Sequence, residues 1–431
     1  MAVTPKKAYE VFGVSRDVLP DSYVDRGSLD ERLGSLLQRQ NHIAIRGASK
    51  SGKSWLRQMV APDAVVIQCR LGKTVEDLYR EALGMLGITL EVRRTAGDSF
   101  SGHVESSVGF GQALIMKVSG KLGLGYTRHA QSESVPVRQD VSDISFIAEL
   151  LVESGRRLVI EDVHYLSHAE RRRLSFDLKA LWDLGLFVII IGVWKEQSLI
   201  DLNPDLSGRV KEMSVTWSDE DLEKIIAKGT KALNVALAPL IIDSLVRASY
   251  GNAGLLQALT LELLDEAGID ERPEQTRDLV DHRLFEAAAM QHAENLNVLY
   301  QNFAKRVSSG IRRRKNSTGI YAHAMAVILE ESDESLMRGL PLKEIHAKAH
   351  EREPRILLPN LRTALSKIEA LQTDDEGRGL VLSYDEGREA VYVVDLQLLL
   401  YRRYSTVAWP WDDIVAETEG SQSAFELDAM E

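Results

Sequence analysis

Apolar positions follow two rhythms along this chain. In the first half, short, mostly apolar runs at 42–46, 64–71, 158–160 and 187–193 read as strands, and 210–215 as a fifth. Between them, apolar residues recur every three or four positions. Thr74 caps one such stretch, which places Val75, Leu78, Ala82, Leu83 and Leu86 on one helical face. Others begin at Lys53 or cover 140–153 and 167–184, and a short helical region lies within 1–40. Strands alternating with helices predict an α/β fold whose parallel sheet is covered on both faces.

The rhythm changes at Ser218-Asp219-Glu220-Asp221, a capping-type helix start. Helices are expected at 219–231, 237–249 and 253–266 with no strand between them, which makes a small helical lid. One or two long helices fill 273–308. A further unit begins near Ile320, with helices at 320–331, 341–350 and 358–371. Strands at 380–384 and 390–394 follow, joined by the turn Asp385-Glu386-Gly387-Arg388. Between Val104 and Tyr126 the even positions are mostly apolar and the odd ones mostly polar, Gly or Ala, which predicts a strand hairpin. Such a face packs on its own domain or a neighbour, or else meets a membrane or DNA. The expected organisation is a core over 1–216 with a β-rich insertion at 89–140, a lid at 217–270, a helical linker at 271–316, a winged-helix domain at 317–408 and an acidic, disordered tail at 409–431.

Composition adds limits to this picture. The 431 residues are 44% hydrophobic and 27% charged, an ordinary globular balance. Cys69 is the single cysteine, so no intrachain disulfide forms, and a reducing, cytoplasmic setting is expected. The start has no signal-like apolar run, and the longest apolar stretch, 186–193, is too short to span a bilayer. A net charge of −12 excludes a uniformly basic polyanion binder. Arg312-Arg313-Arg314-Lys315, preceded by Lys305 and Arg306, is a local basic exception.

Candidate chemistry centres on Gly47-Ala48-Ser49-Lys50-Ser51-Gly52-Lys53-Ser54, which fits Gly-x-x-x-x-Gly-Lys-Ser/Thr between an apolar strand and a helix. The glycines let backbone N–H groups turn toward phosphate, and the helix N-terminus favours that negative charge. Lys53 pairs with β and γ phosphates in this reading, Ser54 ligates magnesium, and Trp55 continues the nucleotide contact. Leu158-Val159-Ile160-Glu161-Asp162 supplies two carboxylates at a strand tip, one for magnesium through water and one to orient an attacking water. The expected cofactors are ATP and Mg2+. The single histidines His164, His168, His323, His346 and His350 read as structural or surface residues.

The order of P-loop, strand, hydrophobic strand ending in two acids, helical lid and winged helix resembles the AAA+ ATPases of the origin-recognition initiator type and the related STAND switch ATPases. Cys69-Arg70-Leu71-Gly72-Lys73-Thr74-Val75-Glu76-Asp77-Leu78 is similar to the initiator pattern. Ile160-Glu161-Asp162-Val163-His164-Tyr165-Leu166, Gly192-Val193-Trp194 and Asp205-Leu206-Ser207-Gly208-Arg209-Val210 resemble a group of bacterial ATP-binding proteins. The resemblance implies Tyr23 and Val24 near the adenine, Glu161 at the usual magnesium-side aspartate, Asp162 at the usual catalytic glutamate, and Arg209 as a finger reaching a neighbouring subunit's γ phosphate. The order of the two acids is inverted, and a shorter base implies slow turnover. Gly192-Val193-Trp194 stands where the family carries a polar sensor, and Gly251-Asn252-Ala253-Gly254 lacks the initiators' lid arginine.

On the third helix of the C-terminal unit, Leu361, Leu365 and Ile368 face inward, leaving Asn360, Arg362, Thr363, Ser366 and Lys367 outside with types suited to phosphates and base edges. Against this, Glu369 and the turn acids Asp385 and Glu386 repel phosphate. Two functions stay open. One is a slowly hydrolysing ATP switch that homo-oligomerises and binds DNA through its winged helix and Arg312–Lys315 cluster. The other is a STAND-like sensor, in a role such as antiviral defence, whose winged helix contacts protein and which acts with a separate effector protein.

Overall fold

The computed structural model describes residues 5–94, 100–106, 110–122, 127–129, 132–137, 144–193, 199–309, 319–372, 380–412 and 415. The basic cluster Arg312–Lys315, Trp194 and nearly all of the acidic tail lie outside them. The chain divides into two compact units. One holds Arg16–Val18 and Asp25–Thr216, and the other holds Met1–Ser15, Leu19–Val24 and Trp217–Glu431.

The first unit runs α1 (Leu29–Leu37), β1 (His42–Arg46), α2 (Lys53–Val60), β2 (Val65–Gln68), α3 (Val75–Met85), an inserted segment, α5 (Ile144–Glu153), β7 (Leu158–Glu161), α6 (His168–Asp183), β8 (Val188–Gly192), α7 (Leu199–Leu202) and β9 (Val210–Ser214). All five strands are parallel, in the order β2-β7-β8-β1-β9. Ala44, Ile67, Leu158, Ile160, Val188 and Ile190 point to one face, under α3, α5 and α6. Ile43, Ile45, Val159, Ile189, Ile191 and Met213 point to the other, with α1 and Leu56 of α2. Burial on both faces explains the unbroken apolar runs of the central strands β7 and β8. Because β8 lies between β1 and β7, the loop after β1 and the acids ending β7 flank the exit of the β8 strand.

The inserted segment holds β3 (Ile88–Arg94), β4 (Phe100–Ser106), α4 (Phe110–Leu122), β5 (Thr127–His129) and β6 (Ser132–Val137), with an antiparallel sheet in the order β3-β4-β6-β5. The helix α4 corrects the hairpin expected over 104–126. Gly111, Leu114, Ile115 and Val118 are buried together, a helical repeat that the even-position count overlooked at Ile115. A β-carbon on Gly111 would stand 2.8 Å from the carbonyl oxygens of Leu86 and Gly87, so only glycine allows that approach. Lys121 pairs with Glu149 of α5 at 2.9 Å.

In the second unit, α8 (Asp219–Ala232), α9 (Pro239–Ala248) and α10 (Ala253–Glu266) form a helical group, and Ser218 caps α8 by accepting from the Asp221 N–H. A two-stranded parallel ladder, β10 (Val235–Leu237) with β11 (Arg277–Leu279), lies among these helices where none was expected. Phe12 packs on Gly229 of α8, where a β-carbon would meet its ring at 2.2 Å, which ties the N-terminal segment to this unit. The long helix α11 (Arg283–Ser309) leads to α12 (Ile320–Glu330), α13 (Asp333–Arg338), β12 (Leu340–Pro341), α14 (Leu342–Arg352), α15 (Leu358–Leu365), α16 (Ile368–Gln372), β13 (Leu382–Asp385), β14 (Ala390–Val393) and α17 (Gln397–Tyr404). The three strands pair antiparallel in the order β12-β14-β13. The helix expected over 358–371 breaks at Ser366-Lys367, where the Ser366 hydroxyl donates to the Thr363 carbonyl. One apolar core joins α8–α11 to α12–α17.

Candidate phosphate-binding site

The loop after β1 turns sharply because Lys50 and Gly52 adopt positive φ, 59° and 84°. Gly47 is required by contact: a β-carbon there would stand 2.7 Å from the Val215 carbonyl oxygen and 2.8 Å from the Ser51 hydroxyl. Gly52 caps α2, so the free N–H groups of the first turn face the loop mouth and carry the positive end of the helix dipole. Arg26, buried, donates to the Ser51 carbonyl at 3.3 Å and steadies the loop from behind.

Lys53 curls back across this loop and donates to the carbonyls of Gly47 (3.1 Å) and Ala48 (2.6 Å). Burial pushes its ammonium down to about 8, against the pull of Asp162 and Glu161. A desolvated cation at a ring of amides gains strongly from a triphosphate, because each charge–charge contact is worth more in low dielectric.

Glu161 ends β7 and is 6% exposed. Its Oε2 accepts from the Ser54 hydroxyl at 3.3 Å, and its Oε1 from Arg57 Nε at 3.2 Å. Asp162 follows in the left-handed region, at φ 59°. Gln68 Nε2 reaches it at 3.5 Å. Burial first, then the Glu161 charge, raises the Asp162 carboxyl above its ordinary value, making it a stronger base than a solvated aspartate. Ser54 and Glu161 present hard oxygens side by side, a donor set that fits magnesium. The Arg57 guanidinium shares Glu161 with any such ion.

His164 lies in the short 3-10 turn Val163–Tyr165 after the acids, where its Nδ1 accepts the Val193 N–H at 3.3 Å. Burial, then the Lys53 and Arg171 cations, push its imidazole down to about 4, so it is neutral at physiological pH.

The structure thus gathers Gly47, Ala48, Ser51, Gly52, Lys53, Ser54, Glu161 and Asp162 at one end of the sheet, as the sequence motifs imply. It adds Arg57, Arg26 and Gln68, which sequence reasoning missed. Arg57 alone left a trace, since it stands one helical turn beyond Lys53. Arg209 lies elsewhere. Its carbonyl accepts the His42 N–H at the start of β1, so five strand residues, about 16 Å, separate it from the loop after Arg46. Its guanidinium stacks 4.8 Å over the Trp182 ring and donates to the Asp205 carbonyl. Tyr23 and Val24 belong to the other unit, where the Tyr23 carbonyl accepts from Lys228 of α8 at 2.7 Å.

In the C-terminal elements, Asn360, Arg362, Thr363, Ser366 and Lys367 are exposed, while Leu361, Leu365 and Ile368 are buried. Arg362 is paired with Glu389 at 2.6 Å, and Thr363 donates to the Pro359 carbonyl at 3.0 Å.

A parallel sheet with a glycine loop and lysine after one strand, and paired acids two strands away, is the fold of a P-loop ATPase. One solved structure shares the fold. A Walker-type ATPase of Pyrococcus abyssi superposes with a TM-score of 0.52 at 14% identity, covering 89% of this chain and 97% of its own. A signal transduction ATPase with numerous domains, or STAND protein, with a tetratricopeptide repeat sensor from Pyrococcus horikoshii follows at TM-score 0.36 and 13% identity, covering 95% of this chain and 46% of its own. Cdc6p from Pyrobaculum aerophilum stands at TM-score 0.32 and 12% identity, covering 91% and 94%. No protein-family model matches the sequence, and no curated protein does. No helix among the described residues is long and apolar enough to cross a membrane.

Proposed function

We propose that this protein binds ATP with magnesium at Gly47–Ser54 and hydrolyses it slowly, as a switch. The observation that carries this reading is the Ser54–Glu161 contact beside the Lys53-spanned loop, which brings the phosphate cradle and the metal-side acid of two separate motifs together. Backbone amides and Lys53 hold and orient the triphosphate. Ser54 and Glu161 would hold magnesium, which would supply charge neutralisation for the triphosphate. Asp162 accepts the proton of a water whose oxygen bonds to the γ phosphorus. The bond to the β–γ bridging oxygen breaks, and ADP leaves with that electron pair. An aspartate reaches less far than a glutamate, and slow turnover follows. Asp162→Asn is expected to keep magnesium-ATP affinity within about threefold while hydrolysis falls about 100-fold or more, by steady-state phosphate release. Unchanged hydrolysis in that variant contradicts the role of Asp162.

The finer reading is an assembly switch: Arg209 acts on a neighbouring copy's γ phosphate, and the C-terminal elements, read as a winged helix, present Asn360, Arg362, Thr363, Ser366 and Lys367 to DNA. A specific observation favours the STAND-like alternative. Tyr250, at the turn before α10, donates to Asp333 at 3.0 Å, and Arg402 of α17 pairs with the same carboxylate. With the shared apolar core, this clamps the lid helices to the C-terminal elements, as an internal protein contact requires. Defence with a separate effector protein is one role such a sensor would serve.

A further inference from the structure

We propose that His164 donates a hydrogen bond from Nε2 to the γ phosphate of bound ATP, supplying a sensing contact that the apolar side chains of β8 itself do not make. This rests on the ATPase reading above. The exit of β8 lies between the phosphate loop and the acids, the position from which a polar side chain reaches the terminal phosphate. Among the described residues that exit ends at Gly192-Val193, neither of which carries a polar side-chain atom. The Val193 backbone N–H instead donates to His164 Nδ1 at 3.3 Å. A neutral imidazole that accepts at Nδ1 carries its proton at Nε2, so this contact fixes the ring as a donor at its far end. Among the described residues Nε2 makes no hydrogen bond. The Tyr165 ring, 4.3 Å away, holds the imidazole from one side. His164 is two residues beyond Asp162, and its bond to Val193 sets the ring at the exit of β8, between the strand that ends in the acids and the strand that leads into the phosphate loop. A neutral donor distinguishes ATP from ADP without adding a charge that would hold the product.

The test uses the full-length protein with magnesium-ATP and magnesium-ADP. His164→Ala should lower kcat about 100-fold, the usual cost of one preorganised donor, while KM for ATP and affinity for ADP stay within about threefold. His164→Gln, whose amide nitrogen reaches about as far as Nε2, should recover part of the rate. In wild-type protein, the His164 imidazole NMR signal should move with a nonhydrolysable ATP analogue and stay in place with ADP, a readout that does not depend on a variant folding. Wild-type kcat in His164→Ala, or a ring signal that moves equally with both nucleotides, overturns the proposal while leaving the ATPase reading intact. Wild-type protein that neither binds nor hydrolyses magnesium-ATP overturns both.

Discussion

His42 opens β1 fully buried, and both of its ring nitrogens are engaged: Nε2 with the Leu178 carbonyl of α6 at 2.7 Å, Nδ1 with the Val188 N–H of β8 at 2.9 Å. A neutral ring satisfies both partners, and burial pushes its pKa down to about 4. The unfolded chain, with an ordinary value near 6.5, binds the proton first. Stability is therefore full above about pH 6.5 and is lost as pH falls toward 4, by on the order of 3 kcal/mol for this ring. Urea unfolding at pH 7 and pH 4.5 should show that loss, and His42→Asn should show a shallower one; equal slopes would contradict the assignment. Residues of this kind mark the limit of the sequence at this scale. The phosphate loop and Glu161-Asp162 were legible because each is a contiguous motif whose spacing carries its chemistry. Arg57 on Glu161 and Arg26 on Ser51 were not, because only the folded chain brings those partners together. His164 was visible as a residue beside the acids, but its bond to Val193 spans two strands and has no local signature.

At the scale of elements, the parallel strands and their covering helices were written plainly, since strands buried on both faces leave unbroken apolar runs bounded by capped helices. Thr74 is a case: its hydroxyl accepts the Asp77 N–H at the start of α3, as the sequence implies. The failures share a cause. In α4 the alternation of Val, Phe, Leu and Met at even positions imitates a strand, and tertiary burial of Gly111, Leu114, Ile115 and Val118 decides for helix. The ladder of β10 and β11 rests on three-residue strands whose pairing is remote in sequence. The C-terminal helix α17 was missed because Gln397–Tyr404 is apolar nearly all round its buried end, with Tyr401 packed 4.8 Å from Tyr300 of α11 rather than on a local partner.

At the scale of the molecule, the position of Arg209 decides between action in its own site and action on another copy. It sits just before β9, at the end of the sheet opposite the phosphate loop, so its own chain's phosphate is out of reach and the proposed finger role requires a second copy. Its contact with Trp182 is worth about 1 kcal/mol, small enough to be exchanged for a phosphate. The assembly reading therefore predicts an ATP-dependent rise in sedimentation coefficient that Arg209→Ala abolishes, together with DNA affinity that weakens with salt and with Arg362→Ala and Lys367→Ala. Sedimentation and DNA affinity that ignore ATP and these substitutions favour the sensor alternative, in which the Tyr250–Asp333–Arg402 contacts hold the unit closed.

Both alternatives depend on a triphosphate held by the loop amides and Lys53, and calorimetric titration of the full-length protein with ATP in magnesium tests this most directly. Saturable, magnesium-dependent binding at one site per chain, weakened about 100-fold or more in Lys53→Ala, is the predicted result. No heat of binding in the wild-type protein, or an isotherm untouched by the loss of Lys53, would contradict the account.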